Sequence, residues 1–125
     1  MEPTDLRYHE EHEWIRIDGK QATMGISNFA QDALGDIVFI DMPKVGSTVA
    51  AGQQVGEVES TKTASSIYTP VSGKIVKINT ELKDHPEVVN ADPYGKGWIA
   101  VIELSDPGQV NGLMTAEQYD AFLKK

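Results

Sequence analysis

A succession of short strand-forming runs, each bounded by turn residues, constrains the fold of this chain more than any other feature. Residues 13–17 and 21–26 are rich in strand formers, and the Asp18-Gly19 pair between them is a strong hairpin signal. Residues 36–42 form a further run that Pro43 stops. Runs at 55–61 and 63–69 meet at Lys62. A run at 73–78 carries apolar Ile75, Val76 and Ile78, and residues 98–104 (WIAVIEL) read as a mostly buried last strand. Helix signals lie at the periphery. Ser27 or Asn28 can cap a short helix with apolar residues at 29, 30, 33 and 34, closed by Gly35. Asp106-Pro107 reads as a cap followed by proline at the first helical position. Thr115 to Gln118 is a capping box, with Tyr119, Phe122 and Leu123 on one apolar face.

A loose internal echo accompanies this pattern. In 46–55 and again in 79–89, a turn residue leads to an apolar residue three positions on, then to a second turn residue and a valine. The two units flank Lys62. They suggest a sandwich of two related halves joined by a hairpin with Lys62 at its tip. With 125 residues, the chain is expected to form a single domain over 1–125, its core at about 13–104 and a helical segment at about 106–125.

The net charge of −8 argues against nucleic acid or an anionic membrane surface as a partner, and favours encounters with basic patches on other proteins. Cysteine is absent, so thiol chemistry would have to come from a cofactor. No apolar run approaches a membrane span, and the first residues lack a signal core or an Arg-rich transit pattern. The expected location is the cytoplasm, or the mitochondrial matrix for a trimmed eukaryotic form.

Few residues offer chemistry of their own. His9, Glu10, Glu11, His12 and Glu13 form a dense cluster of metal-ligand types, but a zinc-protease helix needs histidine four after His9, where Glu13 stands. The cluster reads as a solvated acidic lead-in, and no metal is expected. His85 beside Pro86 reads as a loop residue. No serine or cysteine triad and no phosphate-cradling loop is evident, and Gly95-Lys96-Gly97 precedes a strand instead of opening a helix. A chain so poor in nucleophiles and bases reads as a carrier or binding module. Lys62 stands apart. Small Ser60, Thr61, Thr63 and Ala64 leave it unobstructed, and a tight turn would hold its backbone still while its amine projects for acylation.

The sequence resembles the glycine cleavage H-protein family, relatives of lipoyl and biotinyl carrier domains. The matching residues run nearly end to end: His12-Glu13-Trp14, Gly25-Ile26-Ser27 with Ala30, Leu34 to Val38, Pro43, Glu59-Ser60 with Lys62, Pro70, Ser72-Gly73, Asn79, Asn90, and Pro93-Tyr94-Gly95 with Gly97-Trp98. The resemblance implies a mainly β barrel-sandwich hybrid of the lipoyl/biotinyl carrier type, with short peripheral helices including a C-terminal helix. It implies lipoate in amide linkage on Lys62. Biotin anchors typically sit between methionines, whereas Thr61 and Thr63 flank this lysine. Glu59 matches the acidic position preceding the lipoyl lysine and would help the attaching enzyme recognise the turn; a solvated strand carboxylate is the alternative. Glu13 matches a position implicated at the cleft that shelters the loaded arm, with a solvent-facing strand-edge carboxylate as the alternative.

The resemblance also implies partners: a pyridoxal-phosphate glycine decarboxylase that loads an aminomethyl group, a tetrahydrofolate-dependent aminomethyltransferase that unloads it, a flavin dihydrolipoyl dehydrogenase that restores the disulfide, and a lipoate-attaching enzyme. The protein is expected to be a monomeric carrier, with the chemistry left to cofactors. A relay handing lipoyl groups to other complexes, an unmodified non-catalytic paralogue, and a metal enzyme built on His9 and His12 remain as alternatives.

Overall fold

The computed structural model describes residues 5–124. Nine strands form two antiparallel sheets. In chain order they are β1 (Arg7–Tyr8), β2 (Glu13–Asp18), β3 (Gln21–Ile26), β4 (Ile37–Asp41), β5 (Thr48–Val49), β6 (Gln54–Ser60), β7 (Ala64–Tyr68), β8 (Gly73–Ile78) and β9 (Ala100–Leu104). The larger sheet runs β1-β2-β3-β9-β8-β5 and the smaller β4-β6-β7. The mainly β sandwich with peripheral helices is therefore as expected, although the two sheets are not hydrogen-bonded into one closed barrel among the described residues.

The main core lies between the sheets and draws on nearly every strand, with Ile15, Met24, Ile40, Val58, Ile67, Ile75 and Ile102 all buried. A second cluster covers the outer face near the chain's beginning. There Leu6, Tyr8 and Trp14 pack against Ala116 and Tyr119 of the last helix, α3 (Ala116–Leu123). Strand alternation explains why both clusters touch β2: Ile15 points into the first and Trp14 into the second. The start of β2 is thus covered on both faces, and Glu13 is carried inside with it.

The β2–β3 hairpin pairs Asp18 with Gln21. Its two-residue loop is Gly19-Lys20, one position on from the Asp18-Gly19 expected, with Gly19 taking φ 61°. The helix α1 (Asn28–Leu34) forms as its signals predict. Ser27 Oγ accepts the Ala30 N–H, and Gly35, at φ 81°, returns its N–H to Gln31. The capping box of α3 is complete in both directions.

The expected Asp106 cap differs. Its side chain makes no capping bond, and Pro107–Gly112 winds as a 3-10 helix. Elsewhere, a 3-10 turn at Thr80–Lys83 and the single turn α2 (Val88–Ala91) follow β8. The internal echo survives in burial more than in conformation. Val49 and Leu82, at matching offsets, are both buried, yet Thr48–Val49 is a strand paired with β8 and Thr80–Lys83 is helical.

Candidate functional site

Strands β6 and β7 form a hairpin with Glu59 opposite Ala64, so Ser60, Thr61, Lys62 and Thr63 make the turn. Backbone and side chain lock it together. The Ser60 N–H donates to the Thr63 carbonyl at 2.8 Å. Ser60 Oγ accepts the N–H groups of Lys62 (3.3 Å) and Thr63 (3.2 Å). A serine at the first turn position mimics a backbone carbonyl in this way and stiffens the loop. The Thr61 N–H donates to the Asp36 carbonyl at 3.0 Å, which ties the tip to the segment between α1 and β4.

Lys62 is exposed, but its stem does not stand free as the sequence suggested. Its Cε rests over Gly35, 3.5 Å from where a β-carbon would lie. That floor is bolted down by Asn90 of α2. Asn90 Nδ2 donates to the Gly35 carbonyl and to Gln31 Oε1, each at 2.9 Å, and Oδ1 accepts the Ile37 N–H at 2.9 Å. Asn90 belongs to the motif string, yet the sequence offers no sign of what it holds. Glu59 is exposed on β6, and its carboxylate forms no hydrogen bond or ion pair among the described residues.

Glu13 is placed quite differently. It is 1% exposed, and the solvent-facing alternative does not survive. Its Oε2 accepts the Tyr68 N–H at the far end of β7, at 3.0 Å. Its Oε1 is buried and accepts no well-formed hydrogen bond; His9 Nδ1 lies 3.3 Å from it. Burial holds the Glu13 carboxyl above the usual glutamate range, while His9 and the Tyr68 N–H pull in the other direction. His9 is held above its ordinary value, chiefly by its bond to Glu13 and against partial burial. Within the cluster at 9–13, Glu10 and Glu11 are exposed as a solvated lead-in would be, whereas His9 and His12 are half-buried and Glu13 is buried. The described residues contain no group of three or more His, Asp or Glu side chains able to hold a metal ion.

The turn that presents Glu13 depends on residues remote in sequence. His12 adopts φ 73°, the one non-glycine in that region among the described residues, at a cost of about 1 kcal/mol. Its Nδ1 lies 2.8 Å from the Tyr119 hydroxyl, which also meets Ser27 Oγ at 2.8 Å, and its ring packs on Phe29. Burial lowers the His12 pKa and favours the neutral ring. Sequence reasoning missed this knot, since Tyr119 read only as part of an apolar face.

Lys62 and Glu13 are not neighbours, but two elements run from one to the other. Helix α1 begins at Ser27, whose N–H donates to the His12 carbonyl, and ends at Gly35 beneath Lys62. Strand β7 begins just after the Lys62 turn and ends at Tyr68, bonded to Glu13. Five strand residues span about 16 Å, so the two sites stand at opposite ends of β7, Lys62 exposed and Glu13 buried. Strand β7 is an edge of its sheet, and Phe29 of α1 is 43% exposed.

The remaining motif residues build the scaffold. Trp14 Nε1 donates to the carbonyls of Ile26 and Pro93, both at 3.0 Å. Its ring lies where any β-carbon on Gly25 would be, within 2.7 Å. The Tyr94 hydroxyl accepts the Asn28 N–H at the start of α1, at 2.8 Å. Asn79 Nδ2 donates to the carbonyls of Lys96 and Trp98. No helix among the described residues is long and apolar enough to cross a membrane.

Comparison with known proteins agrees with this architecture. The family described as glycine cleavage H-protein matches residues 6–125. A glycine cleavage system H protein of Myxococcus xanthus is 53% identical over 122 residues, covering 98% of this chain and 95% of its own. One from Symbiobacterium thermophilum is 51% identical, covering 98% and 96%. The crystal structure of a glycine cleavage system H protein from Mycobacterium marinum superposes with a TM-score of 0.90 at 42% identity, over 98% of this chain and 99% of that one.

Proposed function

Since this chain belongs to the glycine cleavage H-protein family and serves as the carrier of that system, we propose that Lys62 is its lipoyl attachment site and that Glu13 receives the cationic end of the loaded arm. The observation that carries the reading is the pairing of two ends. A lysine stands at a locked hairpin tip, and a buried carboxylate oxygen without a well-formed hydrogen bond stands at the other end of α1 and β7. The residues present fit the group. The Lys62 amine is exposed for acylation, and the path from it is bordered by the apolar Phe29 ring.

Bound in amide linkage, lipoate supplies the disulfide on which an aminomethyl group and two electrons are carried. What this chain supplies is placement and shelter. Ser60 and the Asp36 carbonyl hold the tip so that the attaching enzyme meets the amine in one orientation. The stem of Lys62 passes over Gly35, whose φ of 81° favours glycine at the end of α1. At the other end, Glu13 offers an anionic oxygen in a water-poor setting. There a charge pair with a protonated amine is stronger than in bulk water. Glu59, exposed three residues before Lys62, is proposed as a recognition contact for the attaching enzyme.

On this reading the protein is a carrier and not itself a catalyst. Its partners are the glycine decarboxylase, the aminomethyltransferase, dihydrolipoyl dehydrogenase and the lipoate-attaching enzyme. The acidic surface, net −8, favours fast and weak encounters with basic docking patches over tight complexes. The deciding experiment is reconstituted glycine–bicarbonate exchange with the decarboxylase, using lipoylated and unlipoylated protein. Exchange should require lipoylation. Equal exchange by both forms would remove the reading.

A further inference from the structure

The His9–Glu13 contact is not needed for folding in any obvious way. Backbone bonds already close this turn: the His9 N–H donates to the Glu13 carbonyl (2.8 Å) and the His12 N–H to the His9 carbonyl (2.9 Å). The imidazole is therefore free to serve another purpose. Its Nδ1 has two polar neighbours that make opposite demands. Glu13 Oε1, at 3.3 Å, can only be satisfied by a proton on that nitrogen. The Glu11 N–H, at 3.1 Å, can only be accepted by a bare nitrogen. One nitrogen cannot meet both demands at once.

Taking the proposed docking of the arm's cationic end at Glu13 as its premise, we propose that His9 is a positioning residue that acts as the resident counter-ion of Glu13, holding the carboxylate in the empty carrier and releasing it when a primary ammonium arrives. The exchange balances. Before arrival, His9 carries a proton on Nδ1 and pairs with Oε1 as an ion pair at 3.3 Å. The incoming ammonium forms its ion pair with Oε1, and two cations cannot share that oxygen without repulsion. The Nδ1 proton passes to water across the partly exposed face of the ring, whose side chain is 20% exposed. The bare nitrogen then accepts the Glu11 N–H already beside it. No bond other than this N–H is broken.

Two cations thus compete for one buried oxygen, and proton activity decides the contest. The charged and titratable groups facing His9 among the described residues are Glu10, Glu11, His12 and Glu13 on its own turn. The hollow beside it, about 250 Å³, is otherwise lined by Tyr68 and Gly52, so β7 and the loop before β6 bring no opposing cation. The acidic neighbours favour the charged ring, in agreement with its raised pKa. Below the imidazole's titration point each pH unit should weaken ammonium capture about tenfold.

Two measurements test this. The first uses the unlipoylated protein and follows the His9 ring proton by NMR against pH, in wild type and in Glu13→Gln. His9 should titrate above its ordinary value in wild type and fall back in the variant; an unmoved titration overturns the proposal. The second follows the half-life of the aminomethyl-loaded lipoyl protein between pH 6 and 8 for wild type, His9→Gln and Glu13→Gln. Glutamine at position 9 still donates a neutral hydrogen bond but cannot titrate. Its loaded form should match wild type at pH 8 and outlast it several-fold at pH 6. A His9→Gln profile parallel to wild type overturns the proposal while leaving the docking reading intact. A half-life untouched by Glu13→Gln removes the docking reading, and the exchange with it.

Discussion

Exchanging two adjacent residues, Thr61→Lys with Lys62→Thr, tests whether the hairpin is a positioning device or merely a place where a lysine is exposed. Composition and charge are unchanged. The bonds that close the turn come from Ser60 and from backbone groups, so they persist. Positions 61 and 62 are both exposed, so neither new side chain is forced into the core. Stability should therefore move by less than about 0.5 kcal/mol. The amine, however, starts from an α-carbon about 3.8 Å away. It also starts from a residue whose N–H is pinned to the Asp36 carbonyl, instead of one whose stem crosses the bare face of Gly35. A misplacement of 1 Å can cost about 10²-fold in rate when a reacting group must meet an activated acyl donor, and the shift here is larger. We expect lipoylation at least about 100-fold slower than wild type, read from an intact-mass time course with purified attaching enzyme, on a protein with an unchanged circular dichroism spectrum. Loading at the wild-type rate would refute the idea that the turn aims the amine, even with attachment at a lysine upheld.

Lys62→Arg should fold normally and never acquire the mass of a lipoyl group, because a guanidinium is not acylated under these conditions; lipoate on that variant would displace the site. Tyr119→Phe strips the hydroxyl from Ser27 and His12 and should cost about 2 kcal/mol, seen as a lower urea midpoint at constant slope, and a loss under 0.5 kcal/mol would mean water replaces it freely. Glu13→Gln should gain stability relative to wild type as pH rises from about 4.5 upward. Glu13 and His9 both bind protons more tightly in the folded state, so wild-type stability falls through that window, while the glutamine variant has no proton at position 13 and loses the main cause of the raised His9 pKa; a pH-independent difference would contradict this sign. The apparent Michaelis constant for the carrier with the decarboxylase should rise with ionic strength, and a salt-independent value would argue against electrostatic guidance.

What was legible in the sequence is what is local. The β2–β3 and β6–β7 hairpins, α1 with its serine and glycine caps, and the boxed α3 announce themselves because partner residues lie within a few positions of each other. Lys62 at a tip follows from the same locality. Strands β1 and β5 have two residues each, too few to display a period, and α2 is a single turn. Glu13 was identified as a candidate only through family resemblance, and its burial could not be read. That burial arises because Tyr68 and α3, far along the chain, close over the start of β2. His9 misled for the same reason: a histidine amid glutamates looks solvated until the strand end beneath it is known to be covered. Asp106 is the converse case, a good capping residue next to a proline; it takes φ −140°, ψ 84° and makes no capping bond, although its Oδ1 lies near Gly108.

The knot formed by Tyr119, His12 and Ser27 also has a consequence in time. A ribosome delivers the β6–β7 hairpin and its lysine well before α3, by about fifty residues, or roughly 3–10 s at ordinary elongation rates. The hairpin closes through near neighbours in sequence, on a timescale of microseconds. The bonds from Tyr119 to His12 and Ser27 join positions about a hundred apart and wait for the last helix. On the proposed reading, the acceptor lysine is thus presented during synthesis, while the end of the molecule that would shelter its cargo is still unfinished. A nascent chain stalled before α3 should be competent for attachment but poor at protecting what the arm later carries, so maturation runs in the order of anchor first and refuge second.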